Sequence, residues 1–247
     1  MRLKDKVALV TGAASGFGEG IARRFAEEGA SVLIADIAED KGRDVTASIP
    51  RARFHAADVS RADHVRAMVQ AALEAFGGLD ILVNNAGATH RNQSLLEVDE
   101  ATFDRIYAVN VKSIYLTALA CVPIMRQQGG GAILNMASTA GGRPRPGLTW
   151  YNGTKGAAIT LTRSMAVELA PERIRVNAIN PVIGETGLTA AFMGGDSPEL
   201  RKKFVALIPL GRMSRPLDVA NAALFLCSAE AEFLTGVCLD VDGGRSV

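Results

Sequence analysis

The chain has 247 residues, 48% hydrophobic and 21% charged, with a formal charge of +1. That is enough apolar chain for one large α/β domain around a buried core. The balance of 27 basic against 26 acidic side chains argues against a nucleic-acid or membrane-surface role driven by bulk charge.

Cys121, Cys227 and Cys238 lie far apart with no C-x-x-C pair, and they read as buried thiols of a reducing, cytoplasmic setting. His55, His64 and His90 lack metal-ligand spacing, so no metal is expected. The apolar run from Val7 stops at Thr11, too short for a secretion signal, and no run approaches the ~18 apolar residues of a membrane span.

Val7 to Val10 predicts a first strand that runs into Thr11-Gly12-Ala13-Ala14-Ser15-Gly16-Phe17-Gly18. A helix follows, with Ile21, Phe25 and Ala26 on one face and Gly29 at its end. Strand, glycine-rich turn and helix N-terminus together aim backbone N–H groups at a phosphate. The second strand, Ser31 to Ala35, ends at Asp36, about 20 residues after the glycines, the distance that suits an adenosine ribose. Its carboxylate repels a 2′-phosphate, and the glycine loop holds no Lys or Arg, which favours NAD over NADP. Asp36 also reads as an N-cap for a helix starting near Ala38.

A third strand is expected from Arg53 to Val59, then a helix with Val65, Met68, Val69, Ala72, Leu73 and Phe76 inward and His64 on the solvated face. The fourth strand, Leu79 to Val83, ends in Asn84-Asn85-Ala86-Gly87, with Asn85 read as a structural turn residue. A long helix is predicted from Asp99 to Arg126, with Asn110 awkwardly inside it and Pro123 bending or interrupting its far end. Ala132 to Ala137 is the fifth strand, with Ser138 at its carboxyl end, and Thr139 to Thr149 reads as a loop. Arg173 to Asn180 and Gly236 to Val241 are the sixth and seventh strands, and Asp218 to Cys227 is a helix between them. Gly187 to Leu210 reads as a mobile flap, so that about 186–211 covers a site. Strands alternate with helices and no linker interrupts them. The expectation is a single α/β domain, 1–247, a doubly wound sheet of seven mainly parallel strands with helices on both faces.

Trp150 opens a helical run that continues through the alanine-rich Gly156 to Ala170. Positions i and i+4 share a helix face, so Tyr151 and Lys155 point the same way. A nearby cation stabilises phenolate, and the pair predicts a tyrosine able to exchange a proton near neutral pH. Neither Tyr107, followed by Val111, nor Tyr115, followed by Leu119, has such a partner.

Taken together, Thr11-Gly12-x-x-x-Gly16-x-Gly18, Asp58-Val59, Asn84-Asn85-Ala86-Gly87, Asn110, Ser138, Tyr151-x-x-x-Lys155 and Asn180-Pro181…Thr186 resemble the short-chain dehydrogenase/reductase family over essentially the whole chain. The resemblance implies a Rossmann-type fold and NAD-dependent hydride transfer between nicotinamide and an alcohol or ketone. Tyr151 would be the general acid or base, Lys155 would lower its pKa and hold the nicotinamide ribose, and Ser138 would bind the substrate oxygen. Asn110 would hold a water linking Lys155 to solvent. Gly12, Gly16 and Gly18 would take the pyrophosphate, with Ser15 and Phe17 of the same loop beside it. Asp36 and Ile37 would meet the adenosine ribose, and Asp58 and Val59 the adenine. Asn84, Ala86 and Gly87 would line the ribose region, and Pro181 and Thr186 the carboxamide end. The family commonly has glycine after this proline; Val182 stands there instead, which leaves the loop path and the contacts of Ile183 and Gly184 open.

Within the family, substrates range over sugars, polyols, steroids, acyl thioesters and hydroxy acids. Arg91, Arg143 and Arg145 fall on substrate-side loops, where an arginine either clamps a carboxylate, phosphate or sulfonate or faces solvent or a neighbouring subunit. The expected substrate is a small polar hydroxy compound: a sugar, polyol or hydroxy acid. Rival readings are a 3-oxoacyl thioester reductase, which usually goes with NADPH, a non-redox dehalogenase or epimerase, and a non-catalytic nucleotide-binding regulator. The resemblance also implies a homotetramer or homodimer, built on the helices around Asn110 and Lys155 and on the last strand.

Overall fold

Seven apolar runs form the strands β1 (Val7–Thr11), β2 (Ser31–Asp36), β3 (Ala52–Ala56), β4 (Ile81–Asn84), β5 (Gly131–Met136), β6 (Ile174–Pro181) and β7 (Cys238–Val241) in a computed structural model that describes residues 1–247. All pair in parallel, in the order β3-β2-β1-β4-β5-β6-β7. Parallel neighbours need crossovers, and ten helices supply them: α1 (Gly16–Glu27), α2 (Glu39–Ala47), α3 (Ala62–Phe76), α4 (Glu100–Tyr107), α5 (Ser113–Gln127), α6 (Thr139–Gly142), α7 (Thr149–Leu169), α8 (Thr189–Met193), α9 (Pro198–Val205) and α10 (Pro216–Cys227).

Alternation along each strand builds two cores. Ala8 and Val10, Val32 and Ile34, and Ile81 and Val83 face one layer, with Ile21 and Phe25 of α1 and Val219 and Leu224 of α10. Leu9, Leu33 and Leu82 face the other, with Val65 and Met68 of α3, Leu116 and Met125 of α5 and Ala166 of α7. The strand order reverses between β1 and β4, and ligands of open α/β sheets bind at the carboxyl ends beside such a reversal. The glycine loop leaves β1 there, and Asn84 to Gly87 leaves β4.

Several expectations change in three dimensions. The long helix runs on through Asn110, where Ala108–Lys112 forms one π turn, and Pro123 does not stop α5, which continues to Gln127. β3 ends at Ala56, so Asp58 and Val59 lie beyond it. The loop after Ser138 contains α6, with the Ser138 hydroxyl accepting the Ala140 N–H at 3.1 Å. His64 is half-buried, and its Nδ1 accepts the Asp58 N–H at 3.1 Å. Cys121 and Cys227 are buried, but Cys238 is only half-buried. The stretch Glu100–Gln127 is, by composition, long and apolar enough to cross a membrane. Here it packs against the sheet, and Leu116, Cys121 and Met125 are sunk in the core.

A polar thread crosses this apolar interior. Asn84 Nδ2 donates to Asn135 Oδ1, Thr117 Oγ1 donates to Asn84 Oδ1, and Asn135 Nδ2 donates to Thr162 Oγ1, each at 2.9 Å. It ties β4 and β5 to α5 and α7 just beneath the strand ends. Every member is satisfied inside a buried environment, which is the condition for such a network to stabilise. Asn135→Ala strands the Asn84 amide and removes the donor to Thr162, so it should cost roughly 2–4 kcal/mol, read as a lower urea midpoint with an unchanged slope.

Candidate active site

A cleft of about 680 Å³ opens over the carboxyl ends of β1, β4, β5 and β6. One end is walled by Gly12, Ser15, Gly16, Phe17, Asp36 and Ile37, and Asp58 and Val59 adjoin it. Gly12 and Gly16 have φ of +62° and +59°, and a Cβ on Gly12 would stand 2.7 Å from the Ala86 Cα. Asn85 secures this approach, donating from Nδ2 to the Thr11 and Gly12 carbonyls at 2.8 and 3.0 Å. Thr11 Oγ1 accepts the Asn85 and Ala86 N–H groups at 3.0 and 3.1 Å. The structural reading of Asn85 therefore holds.

Ser15 precedes α1 with no side-chain cap, leaving the first helical N–H groups free for an anion. The Asp36 carboxylate accepts N–H groups from Ala14 and Ala38, both at 2.9 Å, which fixes it at the cleft wall with lone pairs to spare. The N-cap of α2 is Ala38, so Asp36 supports that turn from outside the cap position. Thin glycine walls, free N–H groups and a fixed carboxylate at the far end fit a dinucleotide.

Gly18 and Asn84 do not line the cleft. A Cβ on Gly18 would run into the Gly12 carbonyl, so its lack of a side chain serves close packing beneath the loop. The Asn84 amide is consumed by Asn135 and Thr117.

At the other end, Ser138, Tyr151 and Lys155 converge with Gly87, Pro181 and Thr186. Lys155 Nζ donates to the Met136 carbonyl at 2.6 Å and lies 5.8 Å from the Tyr151 ring centre. Burial pushes the Tyr151 phenol up to about 12, opposed by the hydrogen bond with Ser138, and pushes the Lys155 ammonium down to about 8. At i, i+4 spacing a lysine is expected to lower the phenol's pKa. In the chain alone desolvation wins, because both groups are buried and Nζ is turned to a carbonyl. Asn110 stands behind Gly87. Its Oδ1 accepts the Ala88 N–H at 2.8 Å, and its Nδ2 donates to the Ala88 carbonyl at 2.8 Å and to Thr154 Oγ1 at 2.9 Å. The π turn places this amide, and one Oδ1 lone pair is left over.

Residues 12–246 match a family model described as enoyl-(acyl carrier protein) reductase. The 4-formylbenzenesulfonate dehydrogenase TsaC1/TsaC2 of Comamonas testosteroni is 53% identical over 252 residues, covering 100% of both chains. The 2,5-dichloro-2,5-cyclohexadiene-1,4-diol dehydrogenase LinX of Sphingobium indicum is 40% identical over 250 residues, covering 100% of this chain and 98% of that one. A crystal structure of 3-ketoacyl-(acyl-carrier-protein) reductase from Brucella melitensis, complexed with NADH, superposes with a TM-score of 0.95 at 50% identity, covering 99% of this chain and 100% of that one.

The chain belongs to the short-chain dehydrogenase/reductase family.

For a short-chain dehydrogenase/reductase, the substituted loop position costs nothing visible. Val182 is buried without positive φ, its N–H donates to the Val241 carbonyl at 3.2 Å, and Ile183 and Gly184 still line the cleft. The sequence reading missed Phe192 and Phe204, which also line it. Phe192 meets the Tyr151 ring edge-on at 5.0 Å. Two lone aromatics in a glycine-punctuated segment were the available signal. Of the three loop arginines only Arg145 lines the cleft; Arg91 donates to the Gly194 carbonyl at 3.2 Å, and Arg143 to the Arg245 carbonyl.

The Lys155 shift has a measurable sign. Its folded pKa of about 8 lies below the ordinary 10.5, so the unfolded chain binds the extra proton. The burial cost is fully present below about pH 8 and is relieved as pH rises toward 10.5. Lys155→Met should therefore raise Tm more at pH 7 than at about pH 9.5, by roughly 2–4 °C for each kcal/mol relieved. Equal changes at both pH values would mean that Lys155 is not desolvated.

Proposed function

We propose that this chain is an NAD-dependent dehydrogenase acting on a CH–OH group of a small alcohol, or on the corresponding carbonyl in reverse. One observation carries the reading: Ser138, Tyr151 and Lys155 share a single cleft with the glycine loop and Asp36. In oxidation, Ser138 holds the substrate oxygen, Tyr151 in its phenolate form takes the hydroxyl proton, and the hydrogen on carbon leaves as hydride. NAD, when bound, supplies the hydride acceptor and a positive charge. Lys155 holds ribose hydroxyls and, with its pKa drawn toward neutrality, passes the proton onward. The spare Oδ1 lone pair of Asn110 suits the relay water. Gly12, Ser15, Gly16 and Phe17 receive the pyrophosphate, and Asp36 and Ile37 the adenosine ribose. Asp58 and Val59 receive the adenine, Ala86 and Gly87 the ribose region, and Pro181 and Thr186 the carboxamide.

A small ring or chain bearing polar groups remains the favoured substrate, in keeping with the relatives named for 4-formylbenzenesulfonate and a cyclohexadienediol. A 3-oxoacyl thioester reductase is the second reading, favoured by the Brucella structure. The objection that such reductases go with NADPH loses force, since that protein is complexed with NADH. The segment 186–211 acts as the lid, with Phe192 on α8 already over Tyr151. Exposed Tyr115 and Leu119 on α5 and Val167 on α7 suit subunit contacts, and the cysteines suit the cytoplasm.

Reduced-nicotinamide absorbance is the direct assay, run with alcohols, 4-formylbenzenesulfonate and acyl-thioester analogues. Turnover should follow NAD, and Tyr151→Phe should lower kcat by about 10²–10⁴ with cofactor affinity retained. Asp36→Ala should weaken NAD binding about tenfold and narrow or reverse the preference over NADP. An unchanged ratio of kcat/KM for the two cofactors would remove Asp36 from cofactor choice. Light scattering should give a particle larger than the 26.0 kDa chain; a monomer at micromolar concentration ends the oligomer reading.

A further inference from the structure

Arg145 is a charged side chain in the cleft with nothing of opposite charge against it. Its guanidinium lies over the Phe204 ring, 5.0 Å from the centre, and helps line the cavity that holds Tyr151. Its Nη2 is buried and has no hydrogen-bond partner. The charges acting on it are those of Arg245 and Arg143, both positive; burial, with their repulsion added, holds its pKa below the usual guanidinium value. Arg245 Nε is likewise buried without a partner. Arg143 and Arg245 repel the half-buried Arg145 guanidinium, and its buried N–H group without a partner is costly. An anion seated against Arg145 would remove both penalties.

The position is also well fixed. Asn152, the residue after Tyr151, donates from Nδ2 to the Arg145 carbonyl at 2.8 Å. The Arg145 backbone is thereby tied to the first turn of α7, the helix that carries the phenol. Leu148 and Phe192, the latter edge-on to Tyr151, give the cleft apolar walls beside the phenol.

We propose that Arg145 is the anchor for a carboxylate or sulfonate on the substrate. The substrate class is then an alcohol or carbonyl compound with an apolar ring or chain, reacting at Tyr151 and carrying its anionic group toward Arg145. The identity of the reacting end rests on the dehydrogenase reading; the anion subsite does not. Arg91 and Arg143 have no part in it, because their donors go to backbone carbonyls outside the cleft lining.

The test uses two probes of one shape, benzoate and benzamide, titrated calorimetrically into the chain saturated with NADH. Benzoate should bind about tenfold or more tightly than benzamide, a preference set by charge-assisted bonding to the guanidinium. Arg145→Met keeps an apolar stem over Phe204 and should abolish the preference, leaving NADH affinity by fluorescence unchanged. Arg145→Lys should restore part of it. Arg145→Gln serves if the methionine variant loses its circular-dichroism signal. Equal binding of the two probes by the wild type overturns the proposal, as does a preference that survives Arg145→Met. Loss of subunit association in Arg145→Met, with no anion preference in the wild type, assigns the guanidinium to a subunit contact and also overturns it. The two readings fail separately. Arg145-dependent benzoate binding in a chain that oxidises no alcohol upholds the subsite and removes the dehydrogenase, and turnover of neutral alcohols with no anion preference does the reverse.

Discussion

The carboxyl end of β4 organises the lysine end of the cleft. There the chain leaves a fully paired sheet, and its polar groups must find partners without water. Thr11 takes the N–H groups of Asn85 and Ala86, and the Asn85 amide takes the carbonyls of Thr11 and Gly12. Asn110 takes both backbone groups of Ala88. These bonds join the glycine loop, the β4 turn and the π turn into one unit. The glycine-loop end and the lysine end of the cleft are therefore set by the same few side chains. Asn110 also reaches Thr154, one residue before Lys155, so α7 is aligned by the same amide.

Desolvation shapes the chemistry as much as proximity does. Tyr151 and Lys155 are both buried, and each is pushed toward its neutral form. A phenol that resists ionisation is held as a proton donor, while a lysine shifted toward neutrality exchanges protons readily. In the proposed reaction the two side chains would serve opposite halves of one transfer. Positive charge arriving in the cleft would favour the phenolate form.

Much of this was legible in the sequence because it depends on local spacing. The glycine loop, the acidic end of β2, Ser138 after β5 and the Tyr151-Lys155 face are all set within a few residues. Asn85 was readable as structural from its turn chemistry. What escaped depends on distant partners. The π turn exists because Asn110 answers a backbone segment 22 residues away. Asn84 and Gly18 match the family pattern, yet they serve packing below the cleft. His64 is drawn in by the Asp58 N–H, and the direction of the Tyr151 shift follows from burial, which no spacing encodes. Three loop arginines look alike in sequence; only folding separates Arg145 from the others.

The sheet order also bears on how the chain is made. The interior strand β1 is completed on one side only by β4, and the Val7 N–H donates to the Asp80 carboxylate 73 residues further on. No local hairpin can pair these edges, since parallel neighbours require a crossover. During synthesis the first strand must therefore wait, with one hydrogen-bonding edge unpaired, until about a third of the protein has emerged. Such distant pairing slows folding and exposes strand edges to other chains. Growth temperature and chaperone supply thus become conditions on the yield of active protein, although the finished fold is well packed.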